Sequence, residues 1–242
     1  MQDLAAIRPR FDAVVRNVEE ARRERAAKGL ADPPVTVLAV TKAFGPDMAR
    51  AAYASGLVDF GESRAQELRD KAPLLPEDVR WHFIGRLQKN KVKYVVGRAC
   101  LVHSVDDVGL LRAVASRADH LGTVQAILIQ VHLSGEAQKG GAPASELVRL
   151  AEAAVELGGV RLEGLMTMAA HDPDPEQSRT TFRKLRECAD ALRQRDLLPE
   201  VASTVLSMGM SGDYPVAVEE GATVVRVGTA IFGNRPRHPT TK

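Results

Sequence analysis

Across residues 3–28, apolar side chains recur at Leu4, Ile7, Phe11, Val14, Val15 and Val18, the spacing of one helix face, and Gly29 supplies a stop. The next apolar run, 35–40, is rich in β-branched residues and sits behind Pro33-Pro34, which predicts a strand. Residues 46–55 then read as a short amphipathic helix ending before Gly56. The alternation continues, with strand-like runs at 57–60, 81–84, 101–103, 124–131, 162–166, 202–206 and 223–227 and helical stretches at 108–121, 144–157 and 175–195. Eight strands alternating with helices in roughly 250 residues predict an α/β fold, a (β/α)8 TIM-type barrel with an N-terminal helix. A doubly wound open sheet with extra strands is the alternative. One domain is expected over 1–235, followed by a frayed, polar, proline-containing tail at 236–242.

Composition narrows the function classes. Apolar residues make up 45% and charged residues 26%, an ordinary globular balance that leaves no room for bulk disorder. The net charge of +2, from 33 basic and 31 acidic residues, argues against a nucleic-acid partner held by bulk charge. Cys100 and Cys188 lack paired-ligand spacing, so neither a disulfide scaffold nor a cysteine metal site is expected. The N-terminus shows no basic stretch leading into an apolar run, and no apolar run reaches the roughly 18 residues of a membrane span. A cytoplasmic protein without membrane contact is the expectation. No heptad seam or long apolar edge calls for a dimer, so a monomer is expected.

In such a barrel the active site lies at the C-terminal ends of the strands, and phosphate is commonly held by the loops after the seventh and eighth. That rule selects Lys42 past the first strand, Glu62 and Ser63 past the second, and Gly85 past the third. It also selects Ser207-Met208-Gly209-Met210-Ser211 after the seventh and Arg226-Val227-Gly228-Thr229-Ala230 at the eighth. A lysine at a barrel mouth, partly desolvated and beside other cations, can form a Schiff base with an aldehyde. By position alone, a rim lysine whose stem covers apolar surface is the commoner case.

Ser207 offers a hydroxyl, and Gly209 lets backbone N–H groups approach an anion. Gly228-Thr229 offer the same ahead of a helix start at Ala230-Ile231-Phe232. Each segment alone is ordinary for a βα loop; both together, at the last two strands, predict a phosphate site. Arg226 stands in the apolar strand Val224-Val225-Arg226-Val227, where a cation is costly unless it is partnered or faces a cavity. Glu62 is the candidate partner. His82, between Trp81 and Phe83, reads more readily as a hydrogen-bonded core histidine than as a catalytic one.

Taken together, several segments resemble the pyridoxal phosphate homeostasis protein family, single-domain relatives of the alanine racemase N-terminal barrel. They are Thr41-Lys42, Gly61-Glu62-Ser63 with Gln66-Glu67, Trp81-His82-Phe83-Ile84-Gly85, Leu87-Gln88 with Asn90-Lys91, Ser207 to Ser211, and Arg226 to Gly233, in the family's order. The resemblance implies pyridoxal 5'-phosphate held covalently on Lys42 as an internal aldimine. Ser207, Gly228 and Thr229 would hold its phosphate, and Arg226 would face the pyridine nitrogen. A guanidinium stays charged, which keeps that nitrogen unprotonated and weakens the ring as an electron sink. One position departs from the family's Gly-Glu-Asn. Ser63 stands where the asparagine approaches the ring hydroxyl, and a shorter side chain leaves that contact water-bridged or lost. Lys89, Lys91 and Lys139 lie in matching segments, as secondary amines for the cofactor or as solvated rim charges.

Three functions compete on these residues. A cofactor-handling protein would bind and buffer pyridoxal phosphate and transfer it to apo enzymes, without strong catalytic activity. An amino-acid racemase would use the same aldimine. A cofactor-free aldolase would join Lys42 to a sugar phosphate, but it leaves Arg226 unexplained and wants a second lysine and an acid/base carboxylate at strand ends. A two-base racemase needs a group on the cofactor's opposite face, which in alanine racemase comes from an additional β-domain. With Lys242 nine residues past Gly233, no room for one is expected, and Tyr53, Tyr94 and Tyr214 match no such role. The cofactor-handling protein is therefore expected, with the racemase as the alternative.

Overall fold

A computed structural model of the chain describes residues 4–133 and 140–234. Lys139 and the tail expected at 236–242 lie outside the described residues. Helix α1 (Ile7–Ala27) buries Ile7, Val14, Val18 and Ala21, the three- and four-residue spacing read from the sequence. Its last turn is tied to the barrel by Arg25, which is fully buried. The guanidinium donates to the carbonyls of Ala222 at 3.1 Å and Pro33 at 2.8 Å and pairs with Asp32. Gly29, at φ 72°, then turns the chain out of the helix in the left-handed region.

Among the described residues eight parallel strands make the barrel: β1 (Thr36–Val40), β2 (Asp59–Glu62), β3 (Arg80–Phe83), β4 (Leu101–Val105), β5 (Gln125–His132), β6 (Val160–Met166), β7 (Val205–Met210) and β8 (Val224–Val227), with the two residues Ala142–Pro143 paired beside the end of β5. Each pairs with the next, and β8 returns to β1 with Thr36 opposite Val224 and Leu38 opposite Arg226. Because β4 also pairs with β5, the sheet has no free edge. The barrel is closed, and the open-sheet alternative falls. The connections carry α2 (Pro46–Ala54), α3 (Ala65–Lys71), α4 (Val92–Val95), α5 (Val108–His120), α6 (Leu147–Glu156), α7 (Arg179–Arg193), α8 (Tyr214–Glu219) and α9 (Thr229–Phe232). The shortest of these carry too few turns to show a periodicity.

Strand alternation divides the buried residues between two cores. On β4, Val102 joins the large core between barrel and helices, while Leu101 joins a small cluster with Ala126, Leu128 and Met166. His103, two residues from Leu101, shares its face and points into the barrel. The seventh strand departs most from expectation. It runs from Val205 to Met210, not 202–206, and Gly209 bulges within it. Ser207 pairs with Val224 but Met210 with Arg226, so one strand carries an extra residue. Gly209 sits at φ 87°, and a Cβ there would meet the Ala217 Cβ at 2.6 Å. Only glycine lets α8 lie this close.

Candidate functional site

At the C-terminal ends of the strands lies a cavity of about 250 Å³, lined among others by Lys42, Ile84, Met168, His171, Asp172, Met210, Ser211, Gly212, Asp213, Arg226, Gly228 and Thr229. Of the cofactor residues expected from sequence, Lys42, Arg226, Gly228 and Thr229 line it, whereas Ser63 and Ser207 do not. A larger groove of about 720 Å³ runs past Asp32, Arg193 and Glu200 at the strand-entry end, and it holds no lysine. Size does not decide between them; the convergence of an amine, a guanidinium and backbone amides does.

Lys42 is half-buried on a tightly held turn. Ala43, directly after it, takes φ 67°, a left-handed conformation that costs a non-glycine residue on the order of 1–3 kcal/mol. The contacts around the turn hold it there. The Ala43 N–H donates to Glu67 Oε2 at 3.0 Å and the Phe44 N–H to the Thr41 carbonyl at 3.1 Å. The Thr41 hydroxyl donates to Glu62 Oε1 at 2.7 Å. Lys71 Nζ, from α3, then joins the parts, reaching the Thr41 carbonyl at 3.0 Å, Glu62 Oε1 at 2.6 Å and Glu67 Oε2 at 3.2 Å. Glu62 is fully buried, and burial pushes its carboxyl up to about 7 against the pull of the Lys71 ammonium. Glu62 is therefore not the partner of Arg226. Arg226 lies beside Leu38 on the barrel's inner face, whereas Glu62 turns out toward α3.

Arg226 is held by uncharged groups. Its Nη1 donates to Ser207 Oγ at 2.8 Å and its Nη2 to the Thr167 carbonyl at 2.9 Å. A guanidinium carries five N–H donors, so further donors remain for the cavity that it lines. Burial lowers its pKa to about 10 while Asp213 opposes the shift, and the group stays protonated at neutral pH. Asp213 is itself fixed, accepting from the Met210 N–H at 2.6 Å and the Ser178 hydroxyl at 3.1 Å.

The bulge at Gly209 changes which serine serves the cavity. Ser207 sits inside the barrel, fully buried between Arg226 and His103, whose Nδ1 is 2.9 Å from its hydroxyl. The first residue past β7 is Ser211. Its Oγ accepts from the backbone N–H groups of Gly228 at 3.1 Å and Ala230 at 3.3 Å, the amides that begin α9. Ser63 sits beside Gly85, where an added Cβ would meet the Ser63 carbonyl oxygen at 2.0 Å, so Gly85 is the gap into which this backbone fits. Lys89 is exposed with Nζ 3.9 Å from Asp107, and Lys91 lies over the Tyr94 ring at 5.7 Å. Neither lysine lines the cavity.

This donor set fits a small phosphorylated aldehyde carrying a ring nitrogen: an amine, a charged N–H donor set back in the wall, and a hydroxyl-and-amide cradle. The sequence pattern of the family described as alanine racemase, N-terminal domain, matches residues 10–236. A pyridoxal phosphate homeostasis protein of Aquifex aeolicus is 44% identical over 227 residues, 93% of this chain and 97% of its own length. The chain belongs to the pyridoxal phosphate homeostasis protein family. The structure of PipY from Synechococcus elongatus with PLP bound is similar at a TM-score of 0.76 and 34% identity, over 88% of this chain and 100% of that one. Alanine racemase from Bartonella henselae, at 17% identity and a TM-score of 0.71, matches the whole chain with 62% of its own length, a likeness of fold.

The structure also brings residues to the site that carry no clear signal in the sequence. Ser211 lies in the segment expected after the seventh strand, and it reaches the cavity because that strand runs on to Met210. Lys71 had no signal of its own, since a lysine near a helix end reads as solvent-exposed. Met168, His171 and Asp172, which follow β6, lie on the cavity without forming a motif.

Proposed function

We propose that the chain binds pyridoxal 5'-phosphate in this cavity, joined covalently through Lys42, and that it holds, buffers and hands on the cofactor in the homeostasis of vitamin B6. Ser211, whose oxygen is held by the amides of Gly228 and Ala230, receives the phosphate together with Gly228 and Thr229. Arg226 faces the pyridine nitrogen. The observation that carries this reading is the meeting of Lys42, Arg226 and the Gly228–Thr229 segment on one cavity. The names of the homeostasis relatives and the PLP-bound PipY structure support it.

The same geometry supports a carrier over an enzyme. A ring nitrogen facing a permanently charged guanidinium stays unprotonated, and the ring then draws electrons from an attached amino acid only weakly. Lys42 and the phosphate cradle supply binding without that electronic assistance. Among the described residues no helix is long and apolar enough to cross a membrane. The proposal places a monomeric barrel, spanning residues 1–235, in the cytoplasm with apo pyridoxal-phosphate enzymes as recipients.

The test pairs two assays on the cofactor-loaded protein: reactivation of an apo pyridoxal-phosphate enzyme, and the optical rotation of alanine and serine. Transfer with at most a trace of racemisation is expected. Racemisation within the usual enzymatic range of about 1–10³ s⁻¹ would overturn the carrier reading in favour of a racemase.

A further inference from the structure

Behind Arg226 the barrel interior holds a polar chain that the cavity does not use. Ser207 Oγ, which accepts from Arg226 Nη1, lies 2.9 Å from His103 Nδ1. His103 Nε2 lies 2.9 Å from His82 Nδ1, and His82 Nε2 is 3.5 Å from Asp59 Oδ1. Asp59 begins β2 at the opposite mouth of the barrel, where it also accepts from Arg80 Nε at 2.6 Å. His103 and Ser207 are fully buried and His82 nearly so. A run of side-chain contacts thus crosses the barrel from its far mouth to the cation in the cavity wall.

Only one arrangement of protons satisfies every contact with neutral imidazoles. Asp59 can only accept, so His82 must present N–H from Nε2, which leaves its Nδ1 as an acceptor. His103 must then donate from Nε2, and its bare Nδ1 accepts the Ser207 hydroxyl proton. The Ser207 oxygen, its proton committed, is free to accept from Arg226. The reversed order aims a lone pair of His82 at a carboxylate and leaves the Ser207 proton without a place in the chain. A doubly protonated His82 would put a second cation in an interior that already holds Arg226, facing a carboxylate already engaged by Arg80. Burial, together with the charge of Arg226, holds His103 well below the ordinary histidine range, in keeping with a neutral ring.

We propose that Asp59, His82, His103 and Ser207 form one directional hydrogen-bonded chain that fixes the guanidinium of Arg226 from the far mouth of the barrel, with His103 as a positioning residue carrying its proton on Nε2. Each donor polarises the next, so the negative end at Asp59 strengthens the acceptor that Ser207 offers to Arg226. The direction of the chain rests on the barrel interior and not on what fills the cavity.

Long-range 1H–15N NMR of the 15N-labelled, cofactor-free protein reads the protonation of each imidazole nitrogen. The chain predicts Nε2–H with bare Nδ1 for both His82 and His103. A wild-type His103 protonated on Nδ1 overturns the proposal without any variant. With cofactor added, His103→Phe should retain pyridoxal phosphate about fivefold less tightly, the scale of one net hydrogen bond. Unchanged retention would remove the role toward Arg226. A cavity that never binds the cofactor would instead refute the function proposed above and leave the NMR result standing.

Discussion

Ser207 and Ser211 lie four residues apart, and their removal should do opposite things. Ser211→Ala deletes a hydroxyl at the amides of Gly228 and Ala230 on the cavity rim. Ser211 is only half-buried, so its own loss should leave the melting of the cofactor-free protein close to wild type. A hydrogen bond to a charged phosphate is worth about 1.5–3 kcal/mol, so the dissociation constant for pyridoxal phosphate should rise about ten- to hundredfold. Ser207→Ala leaves Arg226 Nη1 without its acceptor in a site closed to solvent. An orphaned buried donor costs about 1–3 kcal/mol, and in a chain of this size each kcal/mol lowers the melting temperature by about 2–4 °C. Thermal melts of the cofactor-free variants, followed by titration with pyridoxal phosphate, separate the two effects. If Ser207→Ala weakened binding tenfold or more without lowering the melt, while Ser211→Ala bound normally, the placement of the phosphate cradle would be wrong.

Further consequences follow from the turn that carries Lys42 and from the cavity. Glu62 is raised from 4.5 to about 7, so its stability contribution is complete below the lower value and lost as pH rises through the upper. Passing from about pH 8 to about pH 5.5 should therefore gain on the order of 2 kcal/mol from this group. Denaturant unfolding at the two pH values should show that gain in wild type and lose it in Glu62→Gln; an equal gain in both would exclude Glu62 as its source. Lys71→Met removes the ammonium joining Thr41, Glu62 and Glu67, and borohydride trapping of the cofactor by Lys42 should slow even where the fold survives; an unchanged rate would separate this cluster from the turn. Pyridoxal without its phosphate should bind far more weakly than pyridoxal phosphate, and equal affinities would contradict the cradle at Ser211 and Thr229.

The barrel was legible because its strands and long helices each carry enough residues for a period to show. That Lys42, Arg226, Gly228 and Thr229 meet on one cavity was legible for a different reason: the strand-end rule and the family motifs converge on them. Two kinds of residue were not. Ser211 was obscured because the apolar run stops at Leu206, whereas the bulge at Gly209 lets the strand continue four residues further to Met210, two periods of its alternation, so that Ser211 and not Ser207 stands at the rim. The pairing of Glu62 was misread because two buried opposite charges invite each other on paper. The faces of β2 and β8 send them to different sides of the sheet, and Lys71 on α3 takes the place assigned to Arg226. Such partners depend on where a helix settles, which no local pattern encodes.

The central claim is that pyridoxal phosphate is carried on Lys42. The purified protein, loaded with the cofactor, reduced with borohydride and digested, should yield one labelled peptide, the one containing Lys42. Lys42→Ala should lose the visible absorbance band while keeping its far-UV spectrum and melt. A label on Lys89, Lys91 or Lys139, or a band that survives in Lys42→Ala, would contradict the account.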